Sequence, residues 1–233
     1  MRQISILPLS ADPLTPGHEM MALAAYGVTK KPVWLMPCYQ HLFGKKMAQP
    51  EHRLRMCGIV AQAQQPWLHV CDFEIANKLT VCSYEIMLAL REHYNLTTMP
   101  EWAPSEDYEF SVIIGMDNAN IIEKPVEKGG WQRGAEFIKD FPFIVVRRNG
   151  VEPTCDWFTK PPHQVVDLDW PGCSSDIRKW IEEGKTTCPP NFRTDIWDYI
   201  RLYNLYTGHE EQIEPPFPWA ELASQVGPIR KSQ

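Results

Sequence analysis

The opening residues change period once. ISILPLS (4–10) is a short apolar run of strand character; after SADPLTPG, the apolar positions Met20, Leu23 and Ala24 recur at helical spacing on one face. The same switch repeats along the chain. PVWLMP (32–37) reads as a strand closed by proline, and PEHRLRMCGIVAQAQQ (50–65) as a helix with the stripe Leu54, Cys57, Val60 and Ala61. WLHVCDF (67–73) reads as a strand, SYEIMLALREHY (83–94) as an amphipathic helix, and FSVIIGMD (110–117) as a buried strand ending in polar residues. A helical segment follows Trp131. FPFIVVRR (141–148) and HQVVDLDW (163–170) complete the strands, and two helices are expected near 174–184 and 191–204. Strands alternating with helices of roughly 10–15 residues indicate βαβ units. The fold class is α/β: a doubly wound, Rossmann-like parallel sheet, helices on both faces and a small C-terminal helical part. We expect one domain over 1–206, with 171–206 as its helical end, an extended Pro-rich tail over 207–233, and an insertion loop at TMPEWAPSED (98–107).

Composition narrows the class. At 233 residues, with 44% hydrophobic and 22% charged positions, the chain can bury a sizeable core. A net charge of −6 opposes a nucleic-acid-binding surface. No apolar run approaches the ~20 residues that span a bilayer, and the first residues do not resemble a signal peptide. The seven cysteines are odd in number and form no C-x-x-C pair, so they read as reduced, buried small hydrophobes of a cytoplasmic protein, without a zinc site.

In doubly wound sheets ligands bind beyond the carboxyl ends of the strands. SADPLTPGH, GMDN and VVRRNG all follow such ends. Thr15 and Pro16 suit the cap and first position of a plain helix. Alternatively, Gly17 clears the approach of a ligand and His18 projects from a helix N-terminus, which attracts anions. Lys45 and Lys46 in GKKMAQPEHR (44–53) are either a solvated basic loop or phosphate partners. GMDN, with Gly115 and Asp117, is either an ordinary turn or a carboxylate at the crevice. In CSSDIRKW (173–180), Ser174 and Ser175 open a helix that carries Arg178 one turn in; a plain serine cap would look the same. Taken together, two helix N-termini, a histidine, lysines, an arginine and hydroxyls suit a polyphosphate. The chain has no P-loop, no G-x-G-x-x-G fingerprint and no G-x-S-x-G elbow.

These residues resemble a known pattern. Asp12-Pro13-Leu14-Thr15-Pro16-Gly17-His18 is similar to the His/Thr-x-Gly-His signature of the nucleotidyltransferase superfamily. Ser174-Ser175-Asp176-Ile177-Arg178 is similar to its second signature. The order of intervening pieces most resembles the nicotinamide/nicotinate mononucleotide adenylyltransferases. Those pieces are Lys45, Lys46, His52 and Arg53; Asp72-Phe73-Glu74; Gly115, Asp117 and Trp131; Arg148 and Gly150; and DYIRLYNLY (198–206). The resemblance covers about residues 3–206. Two positions depart from it. Pro8-Leu9-Ser10-Ala11 stands where members usually have Gly-Gly-Ser/Thr-Phe, and Thr15 stands where many have a histidine.

The resemblance implies transfer of AMP from ATP to nicotinamide or nicotinate mononucleotide, giving NAD or its deamido form and pyrophosphate. It implies catalytic roles for His18, Thr15, Lys45 and Arg178. Ser10, Gly17, Lys46, Gly115, Asp117, Arg148, Ser174 and Ser175 would bind ATP. Asp72, Phe73, Glu74 and Trp131 would bind the mononucleotide, Trp131 by stacking on the pyridine ring. Mg would be the cofactor, held by ATP phosphates rather than by protein ligands. Neither nucleic acid nor membrane is an expected partner, and self-assembly into a homo-oligomer stays open. So do two other readings: another transferase of the superfamily, acting on pantetheine phosphate or using CTP, and a non-catalytic nucleotide-binding protein.

Overall fold

Six apolar runs become six strands, each paired parallel to its neighbours. In the computed structural model, which describes residues 2–42, 44–96, 107–148, 150–168, 170 and 173–213, they are β1 (Arg2–Leu9), β2 (Val33–Pro37), β3 (Leu68–Val70), β4 (Tyr108–Gly115), β5 (Phe143–Arg148) and β6 (Gln164–Leu168). The sheet order is β3-β2-β1-β4-β5-β6, so the direction of winding reverses between β1 and β4. The helices are α1 (Pro16–Thr29), α2 (Pro50–Ala63), α3 (Phe73–Ala76), α4 (Ser83–Leu96), α5 (Met116–Ala119), α6 (Gly134–Asp140), α7 (Ser174–Glu182) and α8 (Thr194–Leu202). The expected loop at 98–107, apart from Asp107, and the tail from 214 onward lie outside the described residues. Among the described residues, no helix is long and apolar enough to cross a membrane.

The inner strands β1, β2, β4 and β5 read as largely apolar runs because both faces of the sheet are covered there, whereas β6 at the edge is exposed or half-buried throughout. Their side chains still divide by parity. Ile4, Ile6, Trp34, Met36, Val112, Ile114 and Val145 enter one core with Met87, Leu90 and Phe137. Leu7, Leu9, Val33, Leu35, Ile113, Ile144 and Val146 enter the other with Val60, Ile196 and Ile200. Burying each such side chain is worth ~1.5–3 kcal/mol, so a one-residue slip of any central strand is costly.

The helices correct some expectations. The inward face of α1 is Ala22 and Ala25, not Met20, Leu23 and Ala24; Leu23 is 42% exposed. Small residues let α1 lie close across β2, β1, β4, β5 and β6, and that proximity excludes leucine from the inner face. The stripe expected on α2 is buried, and His52, Arg53 and Met56 are buried with it. The run at 67–73 is strand only through Val70; Cys71 keeps one ladder bond to Leu35, and Asp72 then caps the four-residue α3. The cysteines are free thiols, but only Cys57, Cys71 and Cys82 are buried; Cys38, Cys155, Cys173 and Cys188 are half-buried.

The C-terminal helices pack on the α1–α2 side, where Arg193 of the α8 N-cap reaches Glu19 of α1 at 3.1 Å. Residues 207–213, expected to begin an extended tail, instead dock on α2. His52 Nε2 donates to the Glu211 carbonyl at 2.7 Å, and the Ile213 N–H donates to Gln49 Oε1 at 3.4 Å.

Candidate active site

A crevice opens where two strands part. β1 pairs with β4 only as far as Ile6–Val112, but with β2 as far as Leu9–Pro37. The Ser5 N–H donates toward β2, to Pro32 at 2.9 Å, so by alternation the nitrogens of Ile6 and Pro8 face the β4 side. At Pro8 that side is the gap, and proline has no N–H to offer it. The crevice has a volume of about 940 Å³, and Ser10, Thr15, Gly17, His18, Lys45, Glu74, Gly115, Asp117, Trp131, Ser174, Ser175 and Arg178 all line it.

Thr15 is the N-cap of α1, in extended backbone. Its own N–H donates to His18 Nδ1 at 3.1 Å, and its Oγ1 lies 2.9 Å from the same nitrogen. Because Nδ1 accepts from a backbone N–H, the neutral imidazole carries its proton on Nε2. His18 is thus oriented as a donor, one turn inside the positive end of a helix.

Asp12, quoted above as the start of the first signature stretch but given no role there, joins the two signatures. It is fully buried. Its Oδ1 accepts from the Ala48 N–H at 3.1 Å, and its Oδ2 lies 3.5 Å from Lys45 Nζ and 3.4 Å from Arg178 Nη1. Arg178 also donates to the Asp12 carbonyl, and Ser174 Oγ donates to the Pro13 carbonyl at 2.9 Å. The N-terminus of α7 is thereby fastened beside that of α1. Arg53, another fully buried ion, fixes the loops around this junction: its guanidinium donates to the carbonyls of Ser10 (2.9 Å), Cys38 (2.6 Å), Tyr39 (2.8 Å) and Ala48 (2.9 Å).

Across the gap, Gly115 ends β4 and caps α5 in extended backbone; a Cβ there would collide with Asp117 Oδ1, so the carboxylate is folded against the glycine. Trp131 reaches the crevice from a tightly folded segment. A Cβ at Gly130 would meet the Lys124 carbonyl, and one at Gly134 the Ile122 carbonyl. The Trp131 ring packs on Phe137 at 6.2 Å between centroids.

The remaining expected residues separate. Glu74 lines the crevice, accepts from the Tyr39 N–H at 2.9 Å, and is pushed up to about 7, chiefly by burial. Asp72 is also raised by burial, but it stands off the crevice, and Phe73 is buried in the core against His93. Lys46 is exposed and does not line the crevice, unlike Lys45. Arg148 ends β5 opposite Leu168, and its side chain lies outside what the structure describes. Cys38, Gln40, His41, Gln132, Trp170 and Cys173 line the crevice without having been expected there. Among the described residues, no three His, Cys, Asp or Glu side chains converge as a metal-binding group.

No family model matches the chain. Over 157 residues it is 33% identical to a "Probable nicotinate-nucleotide adenylyltransferase" of Anaeromyxobacter dehalogenans, a match covering 65% of this chain and 74% of that protein. A protein of the same name from Myxococcus xanthus is 34% identical over 116 residues, 49% of this chain and 55% of its own length. Among solved structures, the nicotinic acid mononucleotide adenylyltransferase of Plasmodium falciparum complexed with NaAD has the same fold. The TM-score is 0.63 at 21% identity, over 88% of this chain and 98% of that one. The protein is a nucleotidyltransferase. More narrowly, the chain belongs to the nicotinate-nucleotide adenylyltransferase family.

Proposed function

We propose that this enzyme transfers AMP from ATP to the 5′-phosphate of nicotinate mononucleotide, forming the deamido dinucleotide and pyrophosphate. The observation that carries the proposal is the junction at Asp12, which brings Lys45, Arg178 and the N-termini of α1 and α7 to one wall of the switch-point crevice. That wall offers cationic and N–H donors to a triphosphate.

In this reading a phosphate oxygen of the mononucleotide bonds to the α-phosphorus in line. The bond from that phosphorus to the α–β bridging oxygen breaks, and its electron pair leaves on pyrophosphate. No covalent enzyme intermediate forms. Catalysis is positioning, which can recover ~7–11 kcal/mol of barrier, plus charge stabilisation. His18 Nε2–H donates to an α-phosphate oxygen, and such a preorganised donor is worth ~3–4 kcal/mol. The Thr15 hydroxyl lies beside it. Lys45, Arg178, Ser174 and Ser175 hold the β- and γ-phosphates, while Ser10 and Gly17 let them approach α1. Gly115 and Asp117 take the adenosine ribose. Trp131 stacks on the pyridine, with Glu74 in the same half of the site.

The donor set fits Mg²⁺ that arrives on the triphosphate: Asp12, the buried carboxylate beside Lys45 and Arg178, is already committed to Ala48 and to those two cations. When bound, the ion would neutralise phosphate charge, with water completing its shell. We read the enzyme as cytoplasmic and acting on free nucleotides.

The test is purified protein with ATP, Mg²⁺ and either nicotinate or nicotinamide mononucleotide, followed for pyrophosphate and dinucleotide. We expect turnover, faster with the nicotinate substrate. Pyrophosphate in neither tube would overturn the reading.

A further inference from the structure

The two ends of the crevice lie over opposite faces of the sheet. Cys82, Ile86 and Trp131 at one end belong to or pack on the core beneath α4 and α6. Met21, Val146 and Leu168 at the other belong to or pack on the core beneath α1 and α8. Strand register ties this second end to the middle of the site: Gly115 pairs with Val146, Val146 pairs with Val166, and Leu168 lies on the same face two residues further along β6. Trp170 follows two residues later. It is half-buried, and among the described residues its indole stacks on no other ring and donates no hydrogen bond. Beside the crevice lies a second cavity of about 230 Å³, and Thr15, Gly17, Trp170 and Cys173 line both. Trp170 therefore stands in the partition between them, beside the N-termini of α1 and α7, where Thr15 and Cys173 are the caps.

The proposed function, on whose reading this inference rests, puts the triphosphate against α1 and α7 and its ribose at Gly115 and Asp117. The base then extends toward β5 and β6, because the side toward β1 is the gap that the phosphates fill. Neighbouring strands stand ~4.8 Å apart, so the end of β6 is about 10 Å from Gly115, the span from a ribose across its base. We propose that Trp170 is the stacking platform for the purine of ATP, with Met21, Val146 and Leu168 closing an apolar slot around it. Every nucleobase has a π-face, and an indole already packed against another ring could not receive it on that side. The crevice then carries one indole for each ring of the dinucleotide, Trp131 for the pyridine over one face of the sheet and Trp170 for the purine over the other.

The test is Trp170→Leu and Trp170→Phe, read by calorimetric binding of α,β-methylene-ATP and, separately, of tripolyphosphate, each with Mg²⁺. Tripolyphosphate brings the phosphates and no base. We expect Trp170→Leu to lower affinity for the nucleotide analogue about tenfold, the scale of one stacked base, and to leave tripolyphosphate within about twofold of wild type. Trp170→Phe keeps a ring and should lose less. Unchanged affinity for the analogue in Trp170→Leu would overturn the inference. So would an equal loss for both ligands, which marks Trp170 as a support of the phosphate wall and not a platform for the base. If Trp170→Leu melts too low to titrate, fluorescence decides: the analogue should quench tryptophan emission less in Trp170→Phe than in wild type, and equal quenching would overturn the inference. An active enzyme indifferent to Trp170 would sink this inference alone. A wild type that binds the analogue through Trp170 yet makes no dinucleotide would sink the functional reading alone, and one that binds no analogue would sink both.

Discussion

Arg178 and Asp12 stand 166 positions apart in the chain and meet twice, once through the Asp12 carbonyl and once through its carboxylate at 3.4 Å. The first contact fixes where α7 begins relative to α1; the second neutralises a carboxylate that has no solvent. One arginine therefore serves both the fold and the charge of the crevice. The two roles can be separated by substitution.

Arg178→Ala should cost about 2–4 kcal/mol of stability, because it leaves a buried charge with one cation fewer. It should also lower turnover by about 10²–10³-fold through the lost phosphate contact. Adding Asp12→Asn should restore most of the stability and none of the turnover. Urea unfolding of the single and double variants, beside pyrophosphate release, checks both. A double variant that regains activity would show that Arg178 acts only through the fold.

His18 carries a second pair of roles. Its Nδ1 caps the Thr15 N–H, so His18→Ala should cost about 0.5–1 kcal/mol of stability, the usual scale of an N-terminal cap. Its Nε2–H takes no part in that cap, and loss of the donor should lower kcat by roughly 10²-fold or more. Single-turnover kinetics at saturating ATP measures it. Activity within threefold of wild type would remove His18 from the catalytic assignment.

Strands β1, β2, β4 and β5 were legible because both faces of the sheet are buried, leaving unbroken apolar runs. β3 was overread: Trp67 to Phe73 is mostly apolar, but Asp72 turns the chain and Phe73 reaches the core from α3 instead. The inner face of α1 was misread because hydrophobicity favours Leu23, whereas proximity to the sheet favours Ala22 and Ala25. At the site, residues at helix starts and strand ends could be found from local chemistry. Asp12 and Arg53 could not, because their meaning lies in partners far along the chain: Ala48, Lys45 and Arg178 for Asp12, and four backbone carbonyls for Arg53. A buried arginine beside an apolar helical stripe resembles a solvated flank until the loops around it are known.

Glu74 gives the protein a pH dependence with a definite sign. Burial raises its carboxyl from an ordinary 4.5 to about 7, so between those values the folded state holds more protons than the unfolded one. Its stabilising protonation is complete below about 4.5 and is lost as pH rises through about 7, an effect of up to about 3 kcal/mol. Glu74→Gln can still accept from the Tyr39 N–H and cannot ionise. Its stability should be flatter between pH 5 and about 8 and exceed wild type at the upper end, by denaturant titration at each pH. Parallel curves would remove Glu74 as the source.

Gly115 has backbone angles open to any residue, φ −75° and ψ 158°, so Gly115→Ala should fold normally. Its new methyl would push the Asp117 carboxylate out of place. If Asp117 holds the ribose of ATP, the KM for ATP should rise about tenfold, the scale of one charged hydrogen bond, with kcat little changed. A steady-state series in ATP at fixed mononucleotide decides this, and an unchanged KM would dissociate Asp117 from ATP.

Pro8 presents the opposite substitution, one that should improve the site. Its nitrogen faces the gap where β1 has parted from β4, a position from which a backbone N–H would point into the crevice. No ladder bond to β2 depends on it, because the nitrogens facing β2 belong to the odd-numbered residues, beginning with Ser5. Pro8→Ala therefore adds one donor to the crevice and removes none from the sheet. The cost is the extra freedom of the unfolded chain, about 0.4–1 kcal/mol, visible as a small drop in melting temperature. Against that drop, the KM for ATP should fall severalfold, in keeping with one added hydrogen bond of about 0.5–1.5 kcal/mol. Steady-state kinetics in ATP on the two proteins tests it. A KM that stays level while the melt drops would mean that the triphosphate lies farther along α1, toward Ser174 and Arg178, and never reaches the end of β1.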